Sequence, residues 1–384
     1  MKEISTVLLL LVLCTLLTMS ITAQERRGQT DQPKSDIDKV GATLEFLRQR
    51  NAQQYAVTNP NGIDEAKYIT IGGIEQWITI RGEDRNNPVL LFLHGGPGDA
   101  TNPWGYAGFR SWLRDFTVVQ WDQRGAGRTL GKNGPSIAET ITIDRMSRDG
   151  IELTEYLCKS LKKDRVILVG HSWGSILGIF MAKARPELFY AFVGTGQVAN
   201  PLTSYTIAYQ DLVRKAKSVG DQTAVSELTQ MGPPPYRDGK GYAVQRKWAN
   251  QFEHADIFLW STLGLAMSAP GYTLRDTNDW LEGQGVSADR LVPVTSKLKP
   301  EELAGSFRLP VFVIQGAEDF TTPTSLARTF VKSIQAPRKT FVQIEGGHFA
   351  VFMNPDAFVQ VLISRVLPLV HAVKANHSRK KKAA

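Results

Sequence analysis

From position 89 onward, apolar residues come in short unbroken runs, at 89–93, 117–120, 165–169, 190–194, 311–314 and 340–344, separated by stretches with helical spacing. A strand without a polar face is buried on both sides, so these runs predict a mostly parallel central sheet with helices on both faces. Ahead of them, 68–71 and 74–80 flank Gly72-Gly73 and read as a β-hairpin with a two-glycine turn. Residues 37–50 are amphipathic through Ile37, Val40, Leu44 and Leu47, whereas 24–36 are polar and loop-like.

The alternation of strand and helix stops between Gln197 and Leu309. That interval holds helical stretches, a Pro233-Pro234-Pro235 turn and many aromatics, among them Tyr205, Trp248, Phe252, Phe258, Trp260 and Trp280. A structureless loop of this length is rare inside a compact domain, so the interval predicts an inserted helical cap. The expected division is a first core part over 65–196, the cap over 197–308 and a second core part over 309–372. Residues 24–64 form an N-terminal extension and 373–384 a basic tail.

The first residues stand outside this pattern. Lys2, an apolar run over 7–17 and Ala23 give the order of charged, apolar and small residues found in a signal peptide (1–23) cut after Ala23. The run falls short of the roughly 20 apolar residues that a membrane span needs. No stable span is therefore expected after cleavage, and the mature chain is expected to be exported, periplasmic or extracellular; a segment retained as an anchor is the alternative. Cleavage leaves Cys158 as the one cysteine, so no internal disulfide is expected. Cys158 shares a helical pattern with Met146, Gly150, Leu153, Leu157 and Leu161 and reads as a small buried hydrophobe.

Composition adds little beyond a globular chain: 384 residues, 42% hydrophobic and 21% charged, without a repeat at a fixed period. Five of the eight net positive charges sit in the tail, at Lys374, Arg379, Lys380, Lys381 and Lys382. No aromatics interleave with them as a base-reading surface would require, so no nucleic-acid partner is expected.

Candidate chemistry lies at the strand ends. Gly170-His171-Ser172-Trp173-Gly174 follows the run at 165–169 and precedes a helical stretch over 175–184. Glycines two residues to either side let Ser172 sit in a sharp strand-to-helix turn, with a helix N-terminus beside the reacting oxygen. A serine hydroxyl needs a base. Where such an elbow occurs, the partners follow in the order Ser, Asp or Glu, His, each after a strand. Of the six histidines, His94 and His171 precede the serine, His254 lies in the cap, and His371 and His377 lie near the end. Only His348 follows a strand, through Glu345-Gly346-Gly347, and it is the expected base. Asp319 follows the preceding strand and is the expected acid, holding the imidazole tautomer and stabilising the imidazolium; Glu318 is the alternative. His94-Gly95-Gly96-Pro97-Gly98 ends the first buried strand, and a loop so poor in side chains can turn backbone N–H groups toward the site. The N–H groups of Gly96 and Trp173 are the expected oxyanion donors, with His94 bracing the loop.

Together with Asp122-Gln123-Arg124-Gly125-Ala126-Gly127-Arg128-Thr129, these motifs resemble the prolyl aminopeptidase (proline iminopeptidase) branch of the α/β-hydrolases, over about residues 65–370. The resemblance implies the α/β-hydrolase fold and a serine hydrolase acting through an acyl-enzyme on Ser172, without metal or organic cofactor. It makes 122–129 a structural loop, and the resembled branch usually has Gly where this chain has His171. That branch holds the substrate's free amine with cap glutamates beside aromatics. Glu253, close to Trp248 and Phe252, is the similar position, so these three are the expected substrate-binding residues. The expected substrate is a small molecule or short peptide that loses an N-terminal residue, proline or another small apolar one. An esterase or lactonase of the same fold is the alternative. A non-catalytic binding protein is more remote, because such proteins typically lose a triad member.

Overall fold

The computed structural model describes residues 32–236 and 239–373. The expected leader at 1–23 and the basic tail from 374 lie outside the described residues. The hairpin forms as its glycine turn predicts: β1 (Ile63–Ile71) and β2 (Ile74–Gly82) run antiparallel, with Ile71 opposite Ile74. The six later runs become β3 (Val89–Leu93), β4 (Thr117–Trp121), β5 (Val166–His171), β6 (Phe189–Thr195), β7 (Val311–Gly316) and β8 (Lys339–Ile344). All eight join one sheet in the order β1-β2-β4-β3-β5-β6-β7-β8. β2 pairs antiparallel with β4, and every pairing from β4 to β8 is parallel.

The absence of a polar face has a simple cause. Leu91, Leu93 and Leu168 pack into the core on one side of the sheet, while Leu90, Phe92, Ile167 and Val169 pack into the core on the other. From β3 the chain goes to β4 on one side and then returns to β5 on the other. Such a reversal opens a crevice beyond the carboxyl ends of the two strands. The His94 loop leaves β3 and Ser172 leaves β5, so both candidate motifs reach that crevice.

The N-terminal helix, Gln32–Gln54, is longer than the amphipathic pattern over 37–50. Its polar first turn carries Pro33, a residue tolerated there because the first N–H groups of a helix have no partner. Asn51 near its end donates to the Tyr106 hydroxyl (2.9 Å) and to the Ser268 carbonyl (3.0 Å), tying the extension to the layer above the sheet. Cys158 packs against the core, where burial pushes its thiol up to about 11, as suits an inert hydrophobe.

Between β6 and β7 the described residues form helices and no strand: Pro201–Val219, Gln222–Met231, Gly239–Phe252, Ala255–Met267, Leu274–Thr295 and the short Pro300–Leu303. Part of this layer has its own core of Leu212, Ala216, Leu228 and Trp248, which reaches Phe320 in the loop after β7. The stretch Pro355–Val373 is apolar enough to cross a membrane by composition alone. Its Phe358, Leu362, Val366 and Val370 are buried in the sheet's own core, which accounts for the apolarity.

Candidate active site

Ser172 stands between β5 and the helix Trp173–Ala184 with φ 53° and ψ −118°. That conformation is uncommon for a residue with a side chain, and such strain persists only where neighbours over-determine it. Here they do. A Cβ at position 170 would run into the Gly174 carbonyl, and one at position 174 into the Leu93 carbonyl, so the motif's glycines permit close packing of β3, β5 and the helix. The Ser172 N–H donates to Thr195 O of β6 at 3.0 Å.

Asp319 lies in the turn after β7, and His348 in the loop after β8. His348 Nδ1 is 3.0 Å from Asp319 Oδ2 and 3.2 Å from Oδ1. The same carboxylate accepts from the Thr321 and Thr322 N–H groups (2.9 and 2.7 Å) and from Gln315 Nε2 and Thr322 Oγ1 (both 2.7 Å). Burial alone would raise this carboxyl, but the His348 charge and the bonds from His348 and Thr322 hold it below the usual range. An ionised carboxylate only accepts, so Nδ1 of His348 carries the proton and Nε2 is left to take one. Glu318 is exposed and pairs with Lys215 at 2.8 Å, away from the imidazole. Ser172 Oγ makes no hydrogen bond among the described residues. Such contacts often tighten only when substrate binds. The rings of His171 and His348 lie 4.9 Å apart, which brings His348 next to the elbow.

Two cavities meet at the loop after β3. One, of about 460 Å³, is lined by Ser172, Gly96, Trp173, Tyr205, Arg246 and Thr322. The Gly96 and Trp173 N–H groups, both on this wall, donate to no backbone or side-chain group among the described residues. The other, of about 340 Å³, is lined by Gly95, Asp99, His171 and Phe349 together with Trp104, Phe258, Trp260 and Trp280. The His94 side chain is buried, which pushes its imidazole down to about 4 and leaves it neutral. Its Nδ1–H donates to Gly95 O (2.9 Å) and its Nε2 accepts the Gln123 N–H (3.3 Å), so it braces this loop.

The three residues expected to bind substrate line neither cavity. Trp248 is buried in the cap core and donates from Nε1 to Glu227 (2.9 Å), and Phe252 packs against the same core. Glu253 turns inward instead of toward substrate. Its Oε1 accepts the Phe320 N–H (2.7 Å) and its Oε2 accepts the His348 N–H (2.6 Å), so one carboxyl group ties together the loops carrying Asp319 and His348. A buried carboxyl must find donors, and these two backbone groups supply them. Burial, followed by the charge of Asp319, pushes it up to about 8. His171 completes the clamp. Burial, followed by the neighbouring His348, lowers it to about 3, so it is neutral and its Nε2–H donates to the His348 carbonyl (3.0 Å). Both backbone groups of His348 are therefore held by side chains.

Residues 88–355 match the family described as alpha/beta hydrolase fold. The chain belongs to this family. Among curated relatives, this α/β-hydrolase is 31% identical over 306 residues to a Bacillus subtilis protein named "Probable aminopeptidase YbaC", covering 77% of this chain and 94% of that one. It is 27% identical over 305 residues to a proline iminopeptidase of Lactobacillus delbrueckii subsp. bulgaricus, covering 78% of this chain and 96% of the relative. Its fold is similar to the solved structure of a proline iminopeptidase-related protein from Thermus thermophilus, with a TM-score of 0.54 at 20% identity, covering 80% of this chain and 99% of the other. It is an enzyme of the hydrolase type with peptidase-like relatives. The 122–129 segment has a structural part in the α/β-hydrolase: Asp122 accepts from Asn102 Nδ2 (2.7 Å) and the Arg128 N–H (2.8 Å), and Arg124 pairs with buried Asp149 (2.8 Å).

Proposed function

We propose that this α/β-hydrolase is a serine hydrolase that works through an acyl-enzyme on Ser172 and releases the N-terminal residue of short peptides. The observation that carries the reading is the orientation of His348, whose Nδ1 is fixed on Asp319 while its ring lies against the elbow that holds Ser172. In this scheme His348 Nε2 takes the hydroxyl proton as Ser172 Oγ attacks the carbonyl carbon. The Gly96 and Trp173 N–H groups receive the negative charge that forms on the carbonyl oxygen, a contribution worth about 10²- to 10³-fold in rate per donor. Collapse breaks the bond to the leaving amine, which takes the proton from His348. Water then attacks the acyl carbon with His348 again as base, freeing the acid and Ser172.

The peptidase arm draws on the relatives' names and on the resemblance of the motifs. The inward turn of Glu253 favours a second reading, esterase or lactonase, because the amine contact implied by the resemblance is not made there. A panel of aminoacyl-naphthylamides beside short-chain nitrophenyl esters separates the two: the first reading expects turnover of the amides, and turnover of esters alone would displace it. Export of the chain is likewise a proposal, and N-terminal sequencing of the mature protein should then begin near Gln24.

A further inference from the structure

We propose that the aromatic cavity beside the loop after β3 is an ammonium site, in which Asp99 pairs with the free amine of the acyl residue while the rings hold its apolar side chain. This deepens the peptidase reading above and rests on it. Three observations carry it. Asp99 follows directly on His94-Gly95-Gly96-Pro97-Gly98, so its carboxylate is fixed to the loop proposed to hold the oxyanion. Trp280 Nε1 (3.1 Å) and Gln284 Nε2 (3.4 Å) both donate to Oδ1, which orients the group, while Oδ2 accepts nothing among the described residues. The remaining wall is a connected set of rings. Trp104 meets Phe258 edge-on (5.6 Å), and Phe258 stacks on Phe352 (5.4 Å) and leans on Phe349 (5.0 Å).

A cation is the ligand that both features suit. A carboxylate with an open oxygen forms a charge-assisted bond to an ammonium group, and ring faces attract the same charge. No lysine or arginine lines this cavity among the described residues, and a second acid, Asp256, stands at its rim. Burial pushes the Asp99 carboxyl up to about 6, against the Trp280 bond and the Arg246 charge, which lower it, so it meets a ligand at neutral pH mostly as an anion. The volume of about 340 Å³ lies near the lower end of ligand pockets, roughly 300–1,000 Å³, and suits one small residue. The cavity also touches the machinery, since His171 and Phe349 on its wall immediately adjoin Ser172 and His348 in sequence. An amine here would leave the scissile carbonyl at the elbow and direct the rest of the peptide toward the cavity that contains Arg246.

The test compares L-prolyl-naphthylamide with cyclopentanecarbonyl-naphthylamide, which has the same ring but no amine. The wild-type enzyme should prefer the prolyl substrate, and Asp99→Asn should lower the ratio of the two kcat/KM values by roughly 10- to 150-fold. An unchanged ratio, or no preference in the wild type, overturns the site. A binding measurement on the unmodified enzyme covers the case in which the variant does not fold. Benzylammonium should change tryptophan emission and slow fluorophosphonate labelling at concentrations where benzyl alcohol does neither. Equal effects of the two probes would also overturn it. Labelling itself separates the levels: no adduct on Ser172 refutes the acyl-enzyme reading, whereas an adduct with equal probe effects refutes the ammonium site alone.

Discussion

The two cavities that meet at the elbow differ in chemistry although one short loop forms a wall of both. The larger contains Ser172, hydroxyl groups from Ser204, Thr321 and Thr322, and one cation, Arg246. The smaller is mostly aromatic and carries the two carboxylates of Asp99 and Asp256. Such a division suits a substrate with unlike ends, an amine on the acyl side and a polar or anionic leaving part. The difference teaches where selection is built. The proposed reacting groups come from strand ends that the fold fixes. The two chambers owe their character to residues one or two positions from the motifs and to cap helices whose sequence signals little beyond helix.

The comparison can be broken at several levels. His348→Ala removes the proposed base and should lower kcat on the order of 10³-fold or more for amides and esters alike, whereas His254→Ala, on the exposed cap, should change it little. The reverse ranking would mean that the base is elsewhere. Next in size is Glu253→Ala. Loosening the loops of acid and base should cost about 10- to 100-fold in kcat, by the same factor whether or not the substrate carries an amine. Glu253→Gln, which keeps one acceptor, should recover part of it. A loss confined to amine substrates would return amine recognition to the cap. Smallest is Arg246→Gln. An exposed pair is worth about 0.2–1 kcal/mol. KM should therefore rise only about twofold to fivefold for dipeptides with a free carboxylate, measured against a naphthylamide that has none. A uniform effect on both would deny the larger chamber its leaving-group role.

Much of the architecture was legible because parallel strands leave a strong trace. Buried on both faces, β3 to β7 appear as apolar runs, and the glycines around Ser172 and before His348 record how closely the backbone must pack there. The pairing of Asp319 with His348 follows from strand order, and the structure places Glu318 beside Lys215 instead. The supports of the site left no such trace. Glu253 followed an aromatic in either role, and only the fold shows its oxygens turned to the backbone of Phe320 and His348. Thr322 and Gln315 are common residues whose part depends on a turn three-dimensionally closed around Asp319. His171 stood inside the elbow motif, and its meaning emerged with the bond to the His348 carbonyl. Asp99 stood in plain view after a recognised loop, but its surroundings come from Trp280 and Gln284, far along the chain.

The central claim is that Ser172, activated by His348, forms the covalent intermediate. Incubating the protein with a fluorophosphonate and mapping the modified peptide by mass spectrometry tests it most directly, because an activated serine oxygen attacks phosphorus as it would a carbonyl carbon. The account predicts one adduct, on Ser172, that disappears in Ser172→Ala while the fold is retained. Equal labelling of that variant, or an adduct mapped to another residue, would contradict it.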